Sequence, residues 1–514
     1  MVSALPDSVF GEPDAGNTAW MLASASMVLL MTPALAFFYG GLSRGKAVLN
    51  MMMMSFGSVA TVSIVYVLWG FSQSFGNTVT GESDIWGIFA NPFSLFGSDQ
   101  LMNTAGTEDK PTYVLWTGVE THVPAIVFMA FQLTFAVITV ALISGAVAER
   151  VKFSTWLVFS VLWSTIVYFP LSHMVWGGGL MSNAEKGFAS WMFGTNSDGT
   201  ANVAPIDFAG GTVVHINAGM AGLVLCLIIG ARRGFGRDAN QRPHNLPFVM
   251  LGAALLWFGW FGFNVGAAAT PAQAGLTWIN TLVCPAAAML GWIAVERIRD
   301  KHATSLGAAS GVVAGLVAIT PACANVDPGW ALVLGVVAGV GSAFAVGLKY
   351  RLGYDDSLDV VGVHLVSGII GTVALGFIAT PETGTAGLFY GGGFATIPAY
   401  LRDMFGTANV GAIHGRLLTA WSTAGVLGPL IVNGVLDTQG APGELVAADY
   451  RPALLIMVGV LTVGFVANLL IRPVAARWHE RTPVVDAVEQ IVLSSQRDVA
   501  QQHQPGILAV DLAR

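Results

Sequence analysis

Ten apolar stretches, following one another along the chain, decide what it can fold into. They lie at about 19–39, 49–71, 122–147, 154–172, 207–230, 246–266, 275–295, 304–322, 329–348 and 359–380. Each approaches or exceeds the roughly 17–25 residues that a helix needs to cross a bilayer. The stretch at 304–322, rich in Gly and Ala, is the weakest of the ten. Of the 514 residues, 54% are apolar and only 10% are charged. Soluble proteins of this size carry about 25% charged residues, so a water-facing surface could not be covered. The 62 glycines suit a membrane helical bundle, where small residues let helices approach closely. The fold class expected is all-α, a polytopic membrane protein. The segment Met1–Thr18 has no Lys or Arg and lacks the charged region of a signal peptide, so the first apolar run is expected to stay as a helix.

Three cysteines, Cys226, Cys284 and Cys323, all fall in apolar segments. They read as buried small hydrophobes rather than a disulfide framework. Net charge is −7 and no basic patch suggests nucleic acid.

The loops between the stretches differ sharply in basic charge. One alternating set holds Arg44, Lys46, Arg150, Lys152, Arg232, Arg233, Arg237, Arg242, Arg297, Arg299, Lys301, Lys349 and Arg351; the other holds Lys110 and Lys186. The positive-inside rule puts the second set, and with it the N-terminus, outside. Two spans share a pattern. Asp207 is followed by His215, Gly219 and Gly222; Asp356 is followed by His364, Gly368 and Gly371, at the same spacing. By the loop assignment the two copies run in opposite directions. That is the trace of an inverted repeat, which in transporters places the site near the midplane. Eight residues of helix span about 12 Å, so each histidine sits about 12 Å inside its own face of a core about 30 Å thick.

A histidine inside a span is costly and faces a cavity or a partner. A lone one reads equally well as a helix-to-helix hydrogen bond. Two at matched depth in antiparallel repeats point to a shared role. Imidazole donates at one nitrogen, accepts at the other and titrates near neutral pH. The pair could line a narrow pore, hold a small polar molecule and relay a proton. Two His with no matching Cys or intramembrane carboxylate make a poor metal set; neither metal nor cofactor is called for. Asp207 and Asp356 each precede a helix and read as N-caps; a negative field at the outer mouth is the functional reading of Asp207. Asp355 and Asp359 read as cytoplasmic or capping groups. Aromatics gather on the outer side: Phe131 and Phe135 one turn apart, Trp176, and Trp260, Phe261 and Phe263 within Trp-Phe-Gly-Phe-Asn. Singly these are anchors or filler. Together they could hold a cation by cation–π attraction, worth about 2 kcal/mol or more when desolvated, or close a gate. The run Met51–Met54 points four ways around a helix and reads as packing rather than a copper site.

From about Asn17 to Gly393 the chain resembles the ammonium transporter family, the bacterial relatives of Rh proteins. The resemblance is carried by Phe38-Tyr-Gly-Gly-Leu, Gly145-Ala-Val-Ala-Glu-Arg, His173-Met-Val-Trp-Gly-Gly-Gly, Asp207 through Asn217, Trp260-Phe-Gly-Phe-Asn, Thr320-Pro-Ala-Cys and Asp359 through His364. It implies a homotrimer with one pore and eleven helices per subunit. It makes Phe131 and Trp176 the outer cation-recruiting aromatics, Phe135 and Phe263 the stacked gate, His215 and His364 the pore pair, and Asp207 the support of the recruitment site. The family often has Ser where this chain has Ala267.

A second resemblance begins near Tyr390. The run Ala395–Gly406 and then Val410–Pro429 looks like the last helices of an oxalate/formate antiporter-like major facilitator protein, over about residues 389–478. The chain thus reads as an ammonium transporter domain at 1–393, facilitator-like helices at 394–478 and a polar tail at 479–514. Placing basic residues inside predicts thirteen crossings, with Thr385–Leu401 as one of them; the alternative is twelve, with that stretch a re-entrant or surface loop. Ninety residues cannot make a facilitator of two six-helix halves, so carboxylate transport is not expected of this tail. The function expected is passage of ammonium or ammonia through the histidine-lined pore of a multi-pass inner or plasma membrane protein, not catalysis. The alternatives are an ammonium sensor signalling to a cytoplasmic partner, and a fusion with impaired transport. Binding of a P_II regulatory protein would use cytoplasmic loops and a tail that this chain lacks.

Overall fold

The computed structural model describes residues 5–118, 121–236 and 243–379. Within them the chain is mostly helical, with its longest loops on the face that carries the N-terminus. Nine helices among the described residues are long and apolar enough to cross a membrane. They are α1 (Ala15–Leu42), α2 (Val48–Thr80), α3 (Ala125–Ile143), α4 (Phe153–Trp176), α5 (Gly211–Ile229), α6 (Leu246–Val265), α7 (Pro271–Arg299), α9 (Pro328–Leu352) and α10 (Val361–Ile378). Between α7 and α9 lies the shorter apolar α8 (Ser305–Ile319). The ten helices fall on the ten apolar stretches of the sequence. The protein is a multi-pass membrane protein of helical-bundle type.

Helix starts follow the sequence chemistry. Thr270, Thr304 and Asp327 accept from the amides of Gln273, Gly307 and Trp330, and Pro271 and Pro328 take the first helical position. Side-chain oxygens at these caps satisfy orphan amides, and proline there gives up a donor that has no partner anyway. The weakest stretch becomes α8 because its surface is covered: its residues from Gly311 to Ile319 are all buried. A helix enclosed by others need not present long apolar side chains to lipid. Close approach decides its neighbours too. A Cβ at Gly339 of α9 would stand 2.0 Å from the carbonyl oxygen of Ala288 in α7, so only glycine fits there.

α2 runs nine residues past the apolar stretch that ended at Phe71. The extension is polar, yet several of its groups are bonded: Gln73 donates to the Thr165 carbonyl, Ser74 to Phe169 and Ser72 to Asn91. Four helices contain a widened, π-type turn: Tyr66–Gly70 in α2, Ser164–Tyr168 in α4, Gly211–Ile216 in α5 and Val361–Leu365 in α10. Such turns occur mostly as single bulges, often at functional sites. On the N-terminal face, β1 (Phe10–Gly11), β2 (Thr104–Thr107) and β3 (Lys110–Val114) form a small antiparallel sheet in the order β1-β3-β2. The three cysteines are buried and free.

Candidate functional site

α5 and α10 pass each other in opposite directions. Trp176 and Asp207 meet at the start of α5. At its far end Arg150 donates to the carbonyls of Gly230 and Asp355, and Asp355 lies just before α10. The inverted repeat read in the sequence is therefore present as two antiparallel helices, each opening on a π turn that carries its histidine.

The histidines meet between them. Nδ1 of His215 and Nδ1 of His364 are 3.3 Å apart, and the rings lie within 14° of parallel. Both side chains are buried. At that distance two lone pairs would repel, so one ring donates from Nδ1–H and the other accepts. Nε2 of His215 is buried and finds no partner among the described residues. Trp260 stacks on His215 at 5.3 Å and 14°, and its Nε1 donates to Thr320 Oγ1 at 2.9 Å, which fixes the indole. Beside the pair is a narrow space walled by Met31, Leu35, Trp260, Phe263 and Val313. It has room for about one water-sized molecule.

The path from the histidines toward Trp176 is closed by rings. Phe263 is 5.9 Å from the His215 ring. Phe135 stacks on Phe263 at 4.1 Å and 24°. Phe131 and Trp176 then contact Phe135 at 4.8 and 6.1 Å. The order is thus Trp176 and Phe131, the Phe135–Phe263 stack, and the histidine pair.

The two acids that open the repeats hold matching positions. The Asp207 carboxylate accepts from the amides of Gly210, Thr212 and Val213. The Asp356 carboxylate accepts from Val360 and Val361. Each therefore caps the turn that carries its histidine. The carbonyl of Asp207 accepts from Trp176 Nε1 at 2.8 Å. The carbonyl of Asp356 accepts from Lys349 Nζ at 2.9 Å.

Two charged clasps flank these caps, and the sequence alone gave no signal for either. On the Trp176 side, Asp84 bonds His173 Nε2 at 3.0 Å and also pairs with Lys186. The other nitrogen of His173 faces the Ser74 carbonyl at 3.0 Å. Burial works against the Asp84 carboxylate, but Lys186 and His173 hold it below the usual carboxylate range. On the far side, Arg232 pairs with Asp355 through Nε and Nη2, both at 2.8 Å. There too the opposing cost of burial is overcome, by bonds from Arg232, and Asp355 is held below its ordinary value. The partners in each clasp are about a hundred residues apart or more, beyond the reach of any local pattern.

The structure brings together all eight residues singled out in the sequence, Phe131, Phe135, Trp176, Asp207, His215, Trp260, Phe263 and His364. Two aromatics stand elsewhere than expected. Trp260 is not in the outer cluster but against His215, because it lies one turn before Phe263 on the buried face of α6. Phe261 points away from that face and packs on Trp278 at 4.9 Å.

An antiparallel helix pair with a buried histidine couple below stacked aromatics defines a membrane protein of the ammonium transporter class. The family model Ammonium Transporter Family matches residues 19–427, and the chain belongs to that family. The match runs past Gly393, where the sequence reading ended the resemblance. The chain is 53% identical over 423 residues to an ammonium transporter of Mycobacterium tuberculosis (strain ATCC 25618 / H37Rv), covering 80% of this chain and 84% of the relative. It is 43% identical over 383 residues to one of Bacillus subtilis (strain 168), covering 73% and 84%. Among solved structures it resembles Saccharomyces cerevisiae Mep2, with TM-score 0.60 and 31% identity over 72% of this chain and 77% of that one. It also resembles a protein described as a sensor Amt protein, with TM-score 0.61 and 26% identity over 71% and 83%.

Proposed function

We propose that this chain carries ammonium across a membrane by holding the cation at Trp176 and Phe131, removing a proton, and passing ammonia between His215 and His364. The observation that carries this reading is the 3.3 Å contact of the two histidines directly below the Phe135–Phe263 stack. A bare cation in the low-dielectric space beyond that stack would cost tens of kcal/mol by Born arguments, whereas ammonia costs far less. Potassium has no proton to give and is refused. Asp207 supports the recruiting site by holding the Trp176 indole through its carbonyl.

The orientation that fits is N-terminus outside, with Trp176 at the outer mouth and Asp355, Asp356 and Lys349 at the inner one. The assembly that fits is a homotrimer in the cell membrane. The facilitator-like origin of residues 394–478, the last three crossings, and any P_II-binding tail all lie outside the described residues. They remain proposals from the sequence, as do the domain limits at 393 and 478.

The test is labelled methylammonium uptake by cells, with potassium leak measured in liposomes. The full chain should transport. His215→Ala and His364→Ala should each change rate or selectivity without unfolding the protein. The form cut after Gly393 separates the fused segment's contribution. Wild-type rate and selectivity in both histidine variants would sink the pore role. A folded full chain that takes up nothing would favour the sensor reading.

A further inference from the structure

We propose that the carbonyl oxygen of Asp356 and the carboxylate of Asp359 form a site for an ammonium-class cation at the inner mouth, and that Lys349 keeps it filled with its own tethered ammonium. The inference rests on the transport reading above. It makes Lys349 the residue that sets the sidedness of recruitment.

Lys349 is the buried cation that the mechanism leaves unused. Its Nζ donates to the Asp356 carbonyl at 2.9 Å and to Asp359 Oδ1 at 2.6 Å. A lysine head group offers three N–H donors on a tetrahedral cation, the same chemistry as ammonium or methylammonium. The two oxygens that hold it would hold the free ion equally well. The third contact is aromatic, with Nζ 5.4 Å from the centre of the Tyr350 ring.

The surrounding charges are committed elsewhere. Asp355 is paired with Arg232 and Arg150. The Asp356 carboxylate is taken by the amides of Val360 and Val361. Asp359 is the carboxylate that faces outward, with its side chain 38% exposed while that of Lys349 beneath it is 9% exposed. Asp359 is also held at φ +64°, in the left-handed region that non-glycine residues enter rarely and at a cost. The fold thus keeps a carboxylate in an unfavourable backbone conformation over a cation-binding carbonyl.

The opposite repeat shows what the lysine replaces. There the equivalent carbonyl, that of Asp207, accepts from the uncharged indole of Trp176. The outer mouth offers ring faces to an incoming cation. The inner mouth offers a site whose occupant is covalently attached. Ammonium from solution can therefore be captured on the outer side and not on the inner.

The experiment compares methylammonium entry from each face, using intact cells for the outer and inside-out membrane vesicles for the inner. Lys349→Met removes the charge and every donor; Lys349→Gln removes the charge and frees the Asp359 carboxylate. In each, the half-saturating concentration from the inner face should fall about tenfold, the effect of one charge-assisted hydrogen bond, with the outer-face value unchanged. Lys349→Arg should behave as wild type. Adding Asp359→Asn to Lys349→Gln should abolish the gain. An unchanged inner face, an equal shift on both faces, or a gain that survives Asp359→Asn would overturn the proposal. A second readout does not depend on transport. Melting of the purified full chain in ammonium chloride, against choline chloride at equal ionic strength, should show an ammonium-dependent rise in Lys349→Gln that Asp359→Asn removes. Its absence overturns the site, while a wild type that moves no methylammonium from either face overturns only the transport reading.

Discussion

The Trp176 end and the Lys349 end of the repeat, outer and inner in the orientation proposed above, solve one backbone problem twice and then diverge. In both, an aspartate caps a π turn and a histidine follows eight residues on, at the centre. In both, the carbonyl of that aspartate accepts from a side chain at the end of a neighbouring helix. The outer donor is an indole and the inner donor an ammonium. The repeat therefore fixes where the path runs and where the histidines meet. On the reading proposed above, the side chain laid across each carbonyl decides what that mouth does with a cation. Symmetry in the backbone and asymmetry in one contact are enough to give a path with two different ends.

The glycines of the repeat diverge in the same way, and they supply the largest expected effect. Gly219 and Gly368 hold equivalent positions, as do Gly222 and Gly371. Their surroundings differ. A Cβ at Gly371 would stand 2.0 Å from the Ala318 carbonyl oxygen, and one at Gly219 2.6 Å from the Leu365 amide nitrogen. Both obstacles are backbone. At Gly222 and Gly368 the first obstacles are the side chains of Ala146 and Ile216, each at 3.0 Å. Backbone cannot step aside, so Gly371→Ala and Gly219→Ala should each destabilise by about 3 kcal/mol or more. Gly222→Ala and Gly368→Ala should cost about 1 kcal/mol, since at 3.0 Å the neighbour need give way only slightly. Melting of the four purified variants checks this. Equal losses within each position-matched pair would mean that the halves pack alike, and the asymmetry argued here would fail.

That contrast also marks how far the sequence could be read. The pairing of His215 with His364 was legible because the spacing of Asp, His and two glycines is written twice. The ten helices were legible because crossing a bilayer demands length and apolarity from each one separately. What was not legible depends on which faces meet. Nothing in Trp-Phe-Gly-Phe-Asn says that Trp260 stacks on His215 while Phe261 turns to Trp278; that follows only from how α6 is seated among α1, α7 and α8. The Asp84–His173–Lys186 and Arg232–Asp355 clasps join residues brought together by the fold. The extension of α2 to Thr80 was hidden because its polar groups read as loop until their partners on α4 are known. Asp359 read as one more cytoplasmic acid, and only its contact with Lys349 gives it a distinct place.

The outer half can be weakened alone. Trp176→Leu removes both the aromatic face and the donor to the Asp207 carbonyl. A cation–π contact is worth about 2 kcal/mol when desolvated, so the half-saturating ammonium concentration from outside should rise about thirtyfold. The maximal rate should change little, because the contact binds the ion before the deprotonation step. Uptake measured across a wide range of methylammonium concentrations separates the two. A fall in maximal rate with unchanged half-saturation would move Trp176 from recruitment to the passage itself.

The smallest expected effect sharpens the comparison from the other direction, by adding a contact to the outer half. The ammonium transporter family often carries Ser where this chain has Ala267. Ala267 is half-buried and follows Gly266, whose missing side chain makes room for the Phe131 ring, with ring carbons 2.7 Å from where a Cβ would sit. The position is thus beside one of the two recruiting rings and just past the end of α6. Its own amide bonds the Asn264 carbonyl, and a serine adds only its hydroxyl. A hydroxyl oxygen can accept from an ammonium held against Phe131 and Trp176, which supplies a lone pair that neither ring has. One such bond contributes about 0.5–1.5 kcal/mol net. Ala267→Ser should therefore lower the outer half-saturating concentration by about two- to tenfold, and leave the inner-face value of the same protein where it was. In Trp176→Leu the benefit should shrink, because the hydroxyl would then act on a cation that the ring no longer holds in place, so the two substitutions should not be additive. Full additivity would mean that Ala267 and Trp176 act on separate ions, and the outer mouth would then contain two sites rather than one.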